Sequence, residues 1–526
     1  MVSKNTKALF KLCVKFFVRL GIPHRKKKQK TMRNISKSKF LSGVQCEKKL
    51  FFDTHRSELK PPISPEQQAS FDVGHKVGFL AQAYFPGGMD ATPDVDRNYI
   101  IPIANTRRWI NEGVQTIYEA TFSANGVFAA LDILHHHNGE RWAIEVKSST
   151  GVKDYHITDA SLQYHAMSQA GFAPDRFFLM HINNSYVKNG EIDPKEFFVL
   201  EELTERVLSN QPWVEKKVSE LRDMLEGEEP KVEIGPHCGA PFSCDYKGHC
   251  WGHIPDNSVF NLYNSRGREW NYYNNGIVDL RDIPDLDALG HRQRLQVEGQ
   301  IHGQRFIDEE RIEEFSQNFQ FPLYFFDFET IFTGLPVLDG TRPYQQVPFQ
   351  YSLHILSEDG TMEHREFLAS AVDFNSSTAL DPRQQLIQQL RNDIGPTGSI
   401  VAYNASFEKS VLNGLGEAFP ADAEFLFGLN QRFVDLLVPF QSGWYYLPEM
   451  GASASIKSVL PAIAPEFSYD DLVIGNGGDA SAIFHSMITS DFDEDEAETR
   501  RHLLAYCERD TLGMVIIWKE VFWDRV

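Results

Sequence analysis

Two acids and a lysine between Val127 and Lys147 can be placed on one surface by counting alone. Asn138-Gly139 lies between two apolar runs, and that dipeptide is the strongest short-range signal for a two-residue hairpin turn. Counting outward from the turn sets residue 137 opposite 140, 136 opposite 141, and Asp132 opposite Glu145. Lys147, two residues beyond Glu145, shares its face because strand side chains alternate. Adjacent carboxylates repel unless a cation lies between them, and their oxygens suit hard divalent ions such as Mg²⁺ or Mn²⁺. An ammonium beside such an ion can orient a water and stabilise the charge that builds on a phosphate under attack. These residue types predict a metal-dependent phosphodiesterase centre.

Two other groups can do chemistry. In an apolar strand beginning at Leu323, Asp327 and Glu329 stand at i and i+2, on one face, which again favours a metal. Glu408 lies in a predicted helix that opens after Asn404, and Tyr506 and Asp510 sit four apart, one helical turn, on one face. The other group is thiol. Cys46 stands alone on a predicted helix, whereas Cys238, Cys244 and Cys250 crowd into a Gly/Pro-rich loop. Close cysteines in an intracellular chain usually hold metal, and four thiolates are the number a [4Fe–4S] cluster takes. His237, His249 and His253 keep zinc as the competing occupant. Cys507 has no partner cysteine and reads as structural.

The elements that must position these groups follow from pattern. A capped amphipathic helix from Ile35 carries Cys46, and a second helix from Ser70 to Tyr84 carries His75. The hairpin follows, then a helix with Gln163 and Tyr164. Glu119 is expected in a strand, as an added carboxylate or equally as an exposed residue. Residues 256–318 change character and read as a helical connector, and the stretch from Arg342 to Gln350 reads as a loop and strand beside Asp327. Residues 1–32 form a basic extension: Met1–Lys30 holds ten Lys or Arg and no acid. It reads as a tail or over-extended start, with a helix touching DNA or anionic lipid as the alternative.

Composition bounds the answer. At 526 residues the chain needs more than one core. No stretch of eighteen apolar residues exists, so a spanning helix is not expected. A net charge of −20 argues against bulk attraction to nucleic acid, though lysines in a groove can supply local positive potential. Six cysteines do not make a disulfide framework, and no secretory cleavage pattern is visible. A reducing cytoplasm is the expected compartment.

The order Asp132, Glu145-x-Lys147, then Gln163 on the following helix resembles the PD-(D/E)XK nucleases of the RecB and CRISPR-adaptation type. The resemblance implies a restriction-endonuclease-like α/β domain over 33–255. In it Asp132 and Glu145 bind metal, Lys147 aids the water, Gln163 positions substrate, and His75 lies near the metal. In the iron–sulfur branch of that family one cysteine precedes the core and three follow it, the order found here. The five residues between Cys238 and Cys244 depart from the two usual there.

Asp327-x-Glu329, then Asn404 to Glu408, then Tyr506 and Asp510 resembles the DEDD 3′–5′ exonucleases of the tyrosine subgroup, on an RNase H-like α/β fold over 319–526. That implies metal ions on Asp327, Glu329, Glu408 and Asp510, with Tyr506 orienting the attacking water and Asp435 as a non-ligating aspartate. Glu408 stands where the family carries aspartate. Together the halves resemble a bacterial family of unknown function that fuses the two folds. The expected activity is hydrolysis of phosphodiester bonds in DNA with single-stranded ends. RNA processing, or a nucleic-acid-binding scaffold with inactive sites, is the alternative.

Overall fold

A computed structural model describes residues 34–93, 98–374, 380–489, 492 and 494–526. The basic extension, 1–32, lies outside the described residues.

The N-terminal half contains α1 (Lys37–Gln45), α2 (Glu47–His55), α3 (Pro65–Tyr84), β1 (Met89–Asp90), α4 (Ile100–Asn111), β2 (Thr116–Ala124), β3 (Val127–His137), β4 (Glu140–Lys147), α5 (Asp154–Gln169), β5 (Arg176–Ile182), β6 (Phe198–Glu202) and α6 (Gln211–Glu226). Its six strands form one mixed sheet in sequence order. β4 and β5 run parallel, as the intervening α5 crossover permits. Both faces are covered. Trp109, Ile157, Ala160 and Met167 from α4 and α5 pack on one, and Val77 and Ala81 from α3 on the other, against Ile133, Ile144 and Met180.

After α7 (Arg268–Asn274) and α8 (His291–His302) come β7 (Phe306–Ile307), α9 (Glu309–Ser316), β8 (Leu323–Ile331), β9 (Val347–Leu356), β10 (Met362–Leu368), α10 (Pro382–Asp393), β11 (Ser399–Ala402), α11 (Ser406–Ala418), α12 (Ala423–Asn430), β12 (Phe433–Asp435), β13 (Tyr445–Tyr446), α13 (Ile456–Ile463), α14 (Gly477–Ile488) and α15 (Glu496–Phe522). The second sheet has the order β10-β9-β8-β11-β12, with β8, β11 and β12 parallel and the β8–β9–β10 meander antiparallel. The central strand β8 is largely apolar, with Asp327, Glu329 and Thr330 as the exceptions, because helices cover both sides: α15 through Met514, Ile517 and Trp518, and α10 and α11 through Leu386 and Leu412.

The connector expected over 256–318 is not a free-standing spacer. Leu295 and Ile312 sit in the same core as Trp518, and β7 pairs with β13. These residues join the second half, while Val259, Leu262, Leu280, Ile283, Leu289 and Val297 form a small core within the connector itself. The halves also touch directly. Lys188 pairs with Asp339 at 2.6 Å, and the Tyr344 hydroxyl donates to the Ser148 carbonyl. No helix of the described residues is long and apolar enough to cross a membrane.

Candidate metal centres

Three neighbouring strands carry three carboxylates in a row. Asn138 and Gly139 have φ of 51° and 87°, both positive as a type I′ turn requires. The pairs 137–140 through 133–144 keep the register expected from sequence. One step further, Asp132 stands opposite Glu145, and its carboxylate accepts from the Val146 N–H at 2.6 Å. The β2–β3 register skips at Glu119, between the pairs 118–133 and 120–131. Glu119 has φ of 53°, a left-handed conformation uncommon outside glycine that persists where the surroundings over-determine it. It is half-buried rather than exposed, and it feels both Lys37 and Glu145.

The charges of this first centre are largely satisfied from within. Lys147 donates to Glu145 at 2.6 Å and to Asp159 at 2.8 Å. Lys37, from α1, reaches the same Glu145 oxygen at 3.0 Å. Gln163 donates to the other Glu145 oxygen at 2.7 Å. Burial works to raise the Glu145 carboxyl, but Lys147 and Lys37 outweigh it and hold it far below its ordinary value. Asp132 goes the other way: burial and the neighbouring Glu145 push it well up. The amide oxygen of Gln163 is buried without a partner.

His75 is not brought there. Val73 and Val77 turn α3 onto the sheet, so His75, between them on the helix, faces outward and is exposed. Tyr164 packs against the α4–α5 core and lines no centre.

The second centre has the opposite electrostatics. Asp327 and Glu329 leave β8 on one face, Glu408 comes from the first turn of α11, and Tyr506 and Asp510 from adjacent turns of α15. Tyr469 donates to Asp510 at 2.6 Å, Tyr506 bonds the same carboxylate, and the Cys507 sulfur lies 3.7 Å from an Asp327 oxygen. None of the four carboxylates joins an ion pair among the described residues. Burial, then Asp510, Glu329 and Glu408 in turn, pushes Asp327 well up. Burial and Asp510 push Glu329 up to about 8, against Lys457. Burial also pushes Glu408 up to about 8, and one Glu408 oxygen is buried without a partner.

Glu408 acts electrostatically on Asp327 and Glu329, but it does not line the cavity beside them. Asp435 accepts from the N–H groups of Asn404 and Leu437 and shapes the turn before α11. The centre opens into a cavity of about 590 Å³ whose other wall belongs to the first half: Ala69, Ser70 and Val73 of α3, and Ser148, next to Lys147. Tyr344 and Gln346, from the loop and strand start expected beside Asp327, line it too.

Cys46, Cys238, Cys244 and Cys250 are all free thiols around one small cavity. Gln45 ties α1 to the cysteine loop by donating to the carbonyls of His237 and Phe242, at 2.9 and 2.7 Å. Lys60 bridges Asp53 of α2 to Asp245 of the loop. Burial pushes the thiols of Cys46, Cys244 and Cys250 up, and each feels other members of the set. Trios of ligand atoms within 4.8 Å of one another occur among the described residues at His354/His364/Glu508 and Asp327/Glu329/Cys507, and the four thiols form none. Tetrahedral zinc, at about 2.3 Å from each sulfur, needs sulfurs about 3.8 Å apart.

Lys37, Asp159, Lys457 and Tyr469 were not singled out by sequence. Asp159 lies four residues before Gln163, so helical spacing could have found it. The other three reach their centres from distant segments and carry no local signal.

Residues 324–455 match a family described as a domain of unknown function (DUF2779). The match covers Asp327, Glu329 and Glu408 and stops before Tyr506 and Asp510. The chain is similar to the uncharacterized protein MG366 homolog of Mycoplasma pneumoniae, 27% identical over 207 residues, 37% of this chain and 31% of that protein. It is similar also to the uncharacterized protein UU173 of Ureaplasma parvum, 24% identical over 221 residues, 37% of this chain and 30% of that one. The alignments span less than a third of the length of these relatives.

Proposed function

We propose that the chain is a metal-dependent nuclease with two hydrolytic centres, a RecB-like PD-(D/E)XK half and an RNase H-like half of the DEDD type, acting on DNA ends in the cytoplasm. The observation that carries this reading is the gathering of Asp327, Glu329 and Asp510, none of them in an ion pair among the described residues, around one cavity large enough for a strand end, with Glu408 acting on the first two. Carboxylates held so close cost free energy that hard divalent cations offset. Mg²⁺ or Mn²⁺ there would polarise the phosphate and lower the pKa of a bound water.

In this mechanism the protein supplies position. Tyr506, bonded to Asp510, is placed to orient the attacking water, and the Lys457 ammonium sits over the Tyr469 and Tyr506 rings. At the first centre Asp132 and Glu145 would hold the ion and Glu119 is placed to add an oxygen. Lys147 there would leave its ion pair to stabilise charge on the phosphate. The four thiols fit a [4Fe–4S] cluster that fastens α1 and α2 to the chain some two hundred residues on. Zinc is the competing occupant.

The test is cleavage of single-stranded DNA and RNA, labelled at either end, by anaerobically purified protein with Mg²⁺ or Mn²⁺. Stepwise loss is expected through Asp132→Ala, Asp327→Ala and the double variant, and the labels assign polymer and direction. Strand binding without cleavage by any form would replace this reading with the scaffold alternative. For the cluster, a broad absorbance in the blue, lost in Cys244→Ser, is expected; stoichiometric zinc without iron would reject it.

A further inference from the structure

A separate group of ligands joins three elements. His354 of β9 and His364 of β10 are cross-strand partners, their rings stacked at 4.5 Å between centroids. Glu508 of α15 approaches His364 Nδ1 at 3.9 Å. That is too long for a hydrogen bond. One ligand atom from each of the three lies within 4.8 Å of the others. Glu366, two residues along β10 and on the same face as His364, feels both His364 and Glu508.

The hydrogen bonds behind the two rings decide which nitrogens are free. His354 Nδ1 meets the Thr511 hydroxyl at 2.8 Å, and His364 Nε2 meets the Ser352 hydroxyl at 2.9 Å. The two hydroxyls are 2.7 Å apart, so one proton lies between them. Thr511 in turn reaches the Glu508 carbonyl at 3.1 Å. One arrangement uses every donor. His364 donates to Ser352, Ser352 to Thr511, His354 to Thr511, and Thr511 to the carbonyl. Both remaining ring nitrogens, His354 Nε2 and His364 Nδ1, then present lone pairs. Metal-bound histidines almost always show this pattern, the second ring nitrogen donating to a fixed acceptor.

We propose that His354, His364 and Glu508 form a site for a borderline divalent ion of the zinc class, separate from the carboxylate centres. Imidazole and carboxylate suit zinc, and bonds of about 2.0–2.1 Å at tetrahedral angles place ligand atoms about 3.4 Å apart. A small side-chain movement closes the 3.9 Å gap to that distance. The ion would tie the β9–β10 hairpin to the turn of α15 that carries Asp510, and so fix that helix along its axis. The site does not depend on the nuclease reading.

The test is a Zn²⁺ titration by calorimetry on the full chain with saturating Mg²⁺ over the carboxylate centres, comparing wild type with His364→Gln and Glu508→Gln. Circular dichroism would check that each variant folds. One zinc-binding event is expected in the wild type and lost in His364→Gln. In crystals soaked with zinc, anomalous scattering at the zinc edge is expected between the two rings and Glu508. Equal zinc stoichiometry in wild type and folded His364→Gln, or anomalous peaks at other positions alone, would overturn the proposal.

Discussion

Lys147→Ala is expected to lose cleavage at the first centre by on the order of 10³-fold, the scale for removing one preorganised electrostatic group from a hydrolytic site. The same change is expected to destabilise the metal-free protein. From sequence, Lys147 has a part in orienting the water, and its contacts add a structural one. Its ammonium bridges Glu145 and Asp159, whose side chains are 1% and 3% exposed. Removing one partner of a buried pair leaves an uncompensated charge and costs about 3–5 kcal/mol. Lys37 stays on Glu145 and limits the loss, whereas Asp159 keeps only the 3.4 Å contact from Gln163. Mn²⁺ should recover part of the stability, because an ion on Asp132 and Glu145 supplies positive charge beside the same carboxylates. Urea unfolding with and without Mn²⁺ measures this directly. A variant as stable as the wild type without metal would mean that the bridge is not structural. Unchanged cleavage with Asp327→Ala in the background would remove Lys147 from the mechanism.

Much of the first centre is legible in sequence because one dipeptide sets a register. Once Asn138-Gly139 turns, pairing and alternation place Asp132, Glu145 and Lys147 with no knowledge of the rest of the chain. What cannot be read this way is whatever tertiary packing decides. The left-handed φ of Glu119 has no marker in a residue that is not glycine. His75 sits on a helix whose period is clear, but Val73 and Val77 choose which side meets the sheet. Lys37 crosses 108 positions to reach Glu145, and Tyr469 crosses 41 to reach Asp510. The same limit explains the connector: its composition differs from its surroundings, yet Leu295 and Ile312 find their core only when the second half folds.

The second centre should dominate the pH response of the metal-free protein, since its carboxylates are all pushed up, whereas at the first centre the raised Asp132 and the depressed Glu145 work against each other. At the second centre Glu329 and Glu408 are pushed up to about 8, burial first, then Asp510 for Glu329 and Asp435 for Glu408. Unfolded, both return to about 4.3. Between these values the native metal-free protein binds more protons than the unfolded chain, so stability falls as pH rises from about 4.3 to 8. Glu145 runs opposite: its depressed value adds stability that is lost only in strong acid. The expected result is a melting temperature that declines from pH 5 to pH 8 in chelator, with a decline that flattens when Mg²⁺ or Mn²⁺ is present. Cations compete with protons for the same oxygens, so apparent Mn²⁺ affinity at this centre should climb through that range and level off above about 8. Asp510→Asn removes a charge that raises Glu329, and Glu408→Gln removes a titrating group outright. Either substitution should reduce both the slope and the metal response. A flat melting profile in chelator, with Mn²⁺ binding independent of pH, would mean that these carboxylates are not waiting for a cation, and the second centre would lose its claim to hydrolysis.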